Sequence, residues 1–205
     1  MDNNIILSPA QKALAINLDD SIYGSFVEIG AGQEVVRNFF RVGSASSTIA
    51  KTMSAYDKDF SDAIYEREPD GRYVCKSRLE KMLQKEYSLL EERLNRDNYN
   101  NTCYFAFADT IATINYSKTT KGHGWMGLRF QLTPDQKPND FIIHVLLNDA
   151  EAQLQQATVG IIGTNMLHAC FNETDPKEIL KQLYDNLSKD KVQIDMIEVL
   201  GPAFD

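Results

Sequence analysis

The residues best suited to chemistry fall in three short stretches. In the first, Phe26-Val27-Glu28-Ile29-Gly30-Ala31-Gly32-Gln33-Glu34-Val35-Val36-Arg37, an apolar run enters a Gly-x-Gly turn and leaves as a helix. Such a junction aims backbone N–H groups and the positive end of a helix dipole at one point, where an anion can sit. Gly30 and Gly32 are therefore candidate ligand contacts. Arg37 and Arg41, one helical turn apart, share a face, and Lys51 and Arg72 follow in sequence. If these cations and Arg129 converged on one cleft, they would suit phosphate or carboxylate groups, the arginines through bidentate contacts. The alternative is that they pair with Glu34, Asp57, Asp59, Asp62 and Glu80 on a solvated surface.

The second stretch, Tyr104-Phe105-Ala106-Phe107-Ala108-Asp109-Thr110, puts Asp109 on the strand face of Phe105 and Phe107. An acid on an aromatic face lies either at the exposed end of its strand or in a setting that perturbs it toward proton chemistry. The exposed end is the expectation. The third, His123-Gly124-Trp125-Met126-Gly127-Leu128-Arg129, offers a histidine at a strand entrance, with Arg129 on the face of Trp125 and Gly127. Asp109 and His123 are the candidate acid/base groups, and with Arg129 they would form a catalytic or ligand-binding edge.

Other chemistries lack their signatures. The Gly30-Ala31-Gly32 turn resembles the first motif of Rossmann-like methyltransferases over about seven residues, but Glu34 fills the third small position. No Gly-x-Ser-x-Gly elbow or Walker loop occurs. No His/Cys/acid grouping has metal spacing, so no metal is expected, and the sequence names no cofactor. His144, inside Ile142-Ile143-His144-Val145-Leu146, is expected as a core or sheet-face residue.

These residues need elements to position them. Ser8, Pro9 and Gln11 form a capping box for a first helix, and Asp175-Pro176-Lys177-Glu178 starts a last one running to about Leu187. Phe26 to Ile29 is a short buried strand, followed by a helix from Gln33 to Arg41. Ile49 to Tyr65 looks helical but is broken by polar residues, and Ser77 to Leu94 is a clear helix. Strands are predicted at Cys103 to Ile111, Trp125 to Leu132, Asp140 to Leu147 and Val192 to Leu200, the middle two as antiparallel neighbours. Ala150 to Phe171 is a long helix. The fold expected is α/β or α+β, a mixed sheet of about five strands covered by helices. One domain over 1–205 is expected, the N-terminal part of a longer protein cut after the strand ending near Leu200.

Composition narrows the partners. The net charge is −8, and residues 135–205 hold five Lys against twelve Asp and Glu. Without a basic stripe, nucleic acid is not an expected partner. No window is apolar enough for a membrane helix. Three separated cysteines and no secretory leader suggest the cytoplasm.

Taken together, Glu28 to Val35, Ser54-Ala55-Tyr56-Asp57, Phe60 to Tyr65, Gly71-Arg72-Tyr73-Val74-Cys75, Phe105 to Thr110 and His123 to Gly127 resemble the N-terminal half of a longer bacterial protein family of cyanobacteria and Bacteroidetes. Its members carry the labels nicotinate-nucleotide adenylyltransferase and TonB-dependent receptor. The chain shows neither the His-x-x-His signature of the first nor the barrel pattern of the second, so no activity carries over. The functional expectation is a domain that binds an anionic, nucleotide-like small molecule as part of a larger enzyme. The alternative is a non-catalytic interaction or assembly domain, meeting its missing C-terminal part or another copy through Val159 to Leu167 or the terminal strand.

Overall fold

The computed structural model describes residues 6–204. Helix α1 (Pro9–Asn17) leads into β1 (Ile22–Gly30), α2 (Val35–Val42), β2 (Ile49–Met53), α3 (Lys58–Tyr65) and α4 (Lys76–Arg93). Then come β3 (Cys103–Ala112), β4 (Gly122–Phe130), β5 (Asn139–Leu147), α5 (Ala152–Asn172), α6 (Pro176–Leu183) and β6 (Val192–Leu200). The six strands make one sheet in the order β2-β1-β3-β4-β5-β6. Its first three strands are parallel and the rest antiparallel. The mixed α/β sheet expected from sequence is thus present, with six strands.

Local chemistry explains the element starts. The Ser8 side chain accepts from the Gln11 amide while the Gln11 side chain accepts from the Ser8 amide, closing the capping box before α1. Asp175 caps α6 through the Lys177 amide at 2.9 Å. The segment Ile49 to Tyr65 is not one broken helix. Its first part is the edge strand β2, its last part α3, entered through the Asp57 cap on the Phe60 amide. As an edge strand with only β1 beside it, β2 is half exposed and carries little apolar alternation.

Strand alternation sorts the core onto two faces. Phe26, Phe105 and Phe107 point toward α1, α2 and α5, together with Val35, Phe39 and Met166. Val27, Ile29 and Ala108 point the other way, against Leu79, Met82 and Leu83 of α4. Val159, Ile162 and Leu167 of α5 are fully buried here, so that helix is core and not a free partner surface. No helix among the described residues is long and apolar enough to cross a membrane.

Candidate functional site

The parallel half of the sheet creates a mouth. From the C-terminal end of β1 the chain crosses through α2 to β2 on one side, while β3 lies on the other and is reached through α3 and α4 on the opposite face. The connections therefore diverge at the ends of β1 and β3, the place where open α/β sheets leave a crevice for ligands. A depression of about 500 Å³ lies there, lined by Gly30, Ala31, Gln33, Arg37, Tyr56 and Gln156. Arg37 and Gln156 also face an adjoining shelf between α2 and α5 that includes Arg41.

Beneath this mouth sits a pair of acids. Glu28 and Asp109 are register partners on β1 and β3 and face the α2 side. Glu28 is 2% exposed and Asp109 0%. The Glu28 carboxylate accepts the Val35 amide at 2.8 Å and the Val36 amide at 3.1 Å, so it fills the N-terminus of α2 from inside. Among the described residues, neither oxygen of Asp109 has a well-formed hydrogen-bond partner. The turn folds over it: Gly30 takes a φ of +79°, natural only for glycine, and any Cβ on Gly32 would fall well inside van der Waals contact with Asp109 Oδ1.

These environments divide the titration. Burial pushes Glu28 up to about 7 against the pull of the two α2 amides, which favour its ionised form. Burial first, and the Glu28 carboxylate second, hold Asp109 well above the usual carboxylate range. Charge settles on Glu28, which has two well-placed donors, and the proton stays on Asp109, where the Ile29 amide is the one weakly opposing influence. A carboxyl kept neutral at neutral pH can donate a hydrogen bond or a proton.

Several expectations change. Asp109 is not at an exposed strand end; β3 continues past it to Ala112, the carboxyl is fully buried, and the glycine turn covers it. The α2 amides do not await an external anion, because Glu28 occupies them. The cations do not converge. Arg37 and Arg41 share the mouth and its shelf, with Arg37 paired to Glu34 at 3.0 Å. Lys51 turns to the opposite side and pairs with Glu86 of α4. Arg72 is exposed in the α3–α4 connection near Asp70. Arg129 makes a two-pronged contact with Asp140, at 2.7 and 2.6 Å.

His123 is likewise separated from Asp109. It opposes Ala112 in the β3–β4 register and lies on the far face of the sheet, because Gly122 and Gly124 beside it point to α5 and Ile111. Its partner there is His144, which in turn contacts Asp195. The sequence alone does not pick out Glu28 beneath the mouth or Asp195 beside His144; His144 itself lies on a sheet face, as expected. Only Glu28 left a signal, as a lone charge inside the apolar run Phe26 to Ile29. Among the described residues no group of three potential ligands could hold a metal ion.

No protein-family model and no curated protein matches the sequence. Solved structures do match in fold. A competence-damaged protein (CinA) superfamily protein from Enterobacter cloacae superimposes with a TM-score of 0.53 at 12% identity, covering 83% of this chain and 96% of that one. The competence/damage inducible protein CihA from Agrobacterium tumefaciens gives 0.53 at 16% identity, covering 82% and 100%. The competence damage-inducible protein A (ComA) from Klebsiella pneumoniae gives 0.55 at 7%, covering 79% and 96%. At these identities the chain shares a fold with the CinA-like structures, and the likeness extends no further than the fold.

Proposed function

We propose that this domain binds a small polar molecule at the mouth between β1 and β3, with the Asp109–Glu28 pair beneath the glycine turn as a buried proton store next to the site and not in contact with the ligand. The observation that carries the reading is Asp109: a fully buried carboxyl with no well-formed partner on either oxygen among the described residues, under a glycine turn at the divergence of the strand connections. A buried carboxyl without donors costs stability, and such costs concentrate where a site needs a shifted acid. An anionic group on the ligand, as in a nucleotide-like compound, would meet Arg37 and Arg41 on the shelf and not the α2 amides. The alternative of an interaction domain draws support from the edge strand β6, where Met196 is 47% and Leu200 56% exposed.

The test is a thermal-shift screen of nucleotides and phosphorylated metabolites on the wild type, Asp109→Asn and the double variant Arg37→Ala/Arg41→Ala. A ligand that stabilises the wild type, and stabilises both variants less, supports the site. Stabilisation by none of them favours the interaction domain.

A further inference from the structure

On the face opposite the acid pair, three side chains join in a hydrogen-bonded line. His144 Nδ1 lies 2.6 Å from Asp195 Oδ1, and His144 Nε2 lies 3.2 Å from His123 Nδ1. The line is built by a β-bulge. His144 pairs with Met196 and Val145 with Ile194, so Asp195 is the extra residue of β6, aimed by the bulge at His144. The Trp125 ring, 4.8 Å from the His144 ring between centroids, fixes the plane of that imidazole. Two devices thus orient one histidine. A clamp between β5 and β6 would need only His144 and Asp195; the chain runs on to a second imidazole at the strand entrance.

The hydrogen bonds set the tautomers. With Asp195 accepting from His144 Nδ1–H, His144 Nε2 is an acceptor, and His123 must donate to it from Nδ1. His123 Nε2 is then a lone pair with no partner among the described residues, on a half-buried ring. Burial, and then the neighbouring His144, lower the His123 pKa, with Asp195 opposing. The ring is therefore unprotonated at neutral pH. The two imidazoles spend facing nitrogens on each other, which suits a proton path and not a shared metal.

We propose that His123 is a nucleophilic site whose Nε2 accepts an acyl group from a neutral, partly aromatic acyl donor that packs beside Trp125. In the step, the Nε2 lone pair bonds to the acyl carbon, and the donor's C–O bond breaks with its electrons leaving on the alkoxide. The acyl-imidazolium passes its Nδ1 proton to His144 Nε2. His144 becomes an imidazolium held by the Asp195 carboxylate, and later returns that proton through solvent to the alkoxide. Asp195 therefore favours the reaction by stabilising charge on His144. The carboxylates of Asp195 and Glu198 on β6 disfavour an anionic donor. Lys76 of α4 is paired to Glu198 at 2.6 Å and adds no free cation.

The probe is 4-nitrophenyl acetate at pH 7, followed by release of 4-nitrophenolate. The quantity read is the second-order rate constant of the wild type minus that of His123→Ala, which removes the contribution of Cys75 and the lysines. His123→Gln serves as the second reference, with circular dichroism checking the fold of both. The difference should exceed the rate of N-acetylhistidine about tenfold. Asp195→Asn should bring it down to about the N-acetylhistidine rate, and Trp125→Ala should lower it severalfold. A difference no larger than the N-acetylhistidine rate overturns the proposal, as does one that Asp195→Asn leaves unchanged.

Discussion

Replacing Asp109 by Asn removes an ionisable group while keeping its shape. The folded protein holds the Asp109 proton well above the ordinary carboxylate pKa, whereas the unfolded chain releases it near pH 4. The folded state thus binds more protons than the unfolded state between those two values, and wild-type stability falls as pH rises through that window. The slope for one group is about 1.4 kcal/mol per pH unit. The Asp109→Asn variant has no proton to lose at this position, so its stability relative to wild type should climb with pH above the unfolded-chain pKa, at up to that slope, and level off once the folded-state pKa is passed. Near pH 4 the difference reduces to the exchange of one unpartnered buried polar group for another, roughly 1 kcal/mol of either sign. Glu28 makes its own loss between its unfolded pKa and about 7 in both proteins, so it largely cancels in the difference. Urea unfolding at pH 5, 6, 7 and 8 measures this directly. A difference that stays constant over the range would mean that Asp109 is ionised in the folded protein, and would refute the proton assignment.

Three further outcomes follow from packing. Gly32→Ala should cost at least about 2 kcal/mol in chemical denaturation, because its Cβ meets the Asp109 carboxyl; combined with Asp109→Ala the cost should shrink, a non-additivity expected of touching residues. Glu28→Gln should cost about 1–3 kcal/mol, since an amide cannot accept from both Val35 and Val36 and must bring a donor against one of them. Arg78→Ala should cost about 3–5 kcal/mol, because Arg78 is fully buried on the Tyr73 ring and pairs with Asp62 and Glu68, the latter itself buried; melting curves showing less than 1 kcal/mol would refute the coupling.

What the sequence disclosed follows what is local. The capping box at Ser8, the N-cap at Asp175 and the three- and four-residue spacing of Leu79, Met82 and Leu83 are read within one turn, and α1, α6 and α4 appear where those signals lie. The strand β3 was legible because six apolar residues in a row, Cys103 to Ala108, rich in aromatics, favour a buried strand. The candidate site was legible in part. Gly30 and Arg37 line the mouth and Arg41 its shelf, because a single turn and helix carry them. Lys51 and Arg129 were out of reach because their facing depends on strand order and parity across the sheet. The partnership of Glu28 with Asp109 needs the β1–β3 register, which no local pattern encodes. Asp195 was hidden for a further reason: the bulge breaks the very alternation by which its facing would be judged.

The Glu28 carboxylate at the start of α2 makes that helix end a seat with a tethered occupant. A group tethered a few residues upstream, on β1, competes at an effective concentration of about millimolar or more. A dissolved phosphate or carboxylate at micromolar levels cannot displace it. Competition weakens only as Glu28 takes up a proton, on the acid side of about pH 7. On the acid side of about pH 7 the α2 amides therefore face a neutral acceptor instead of a charge, just where most helix N-termini are indifferent to pH.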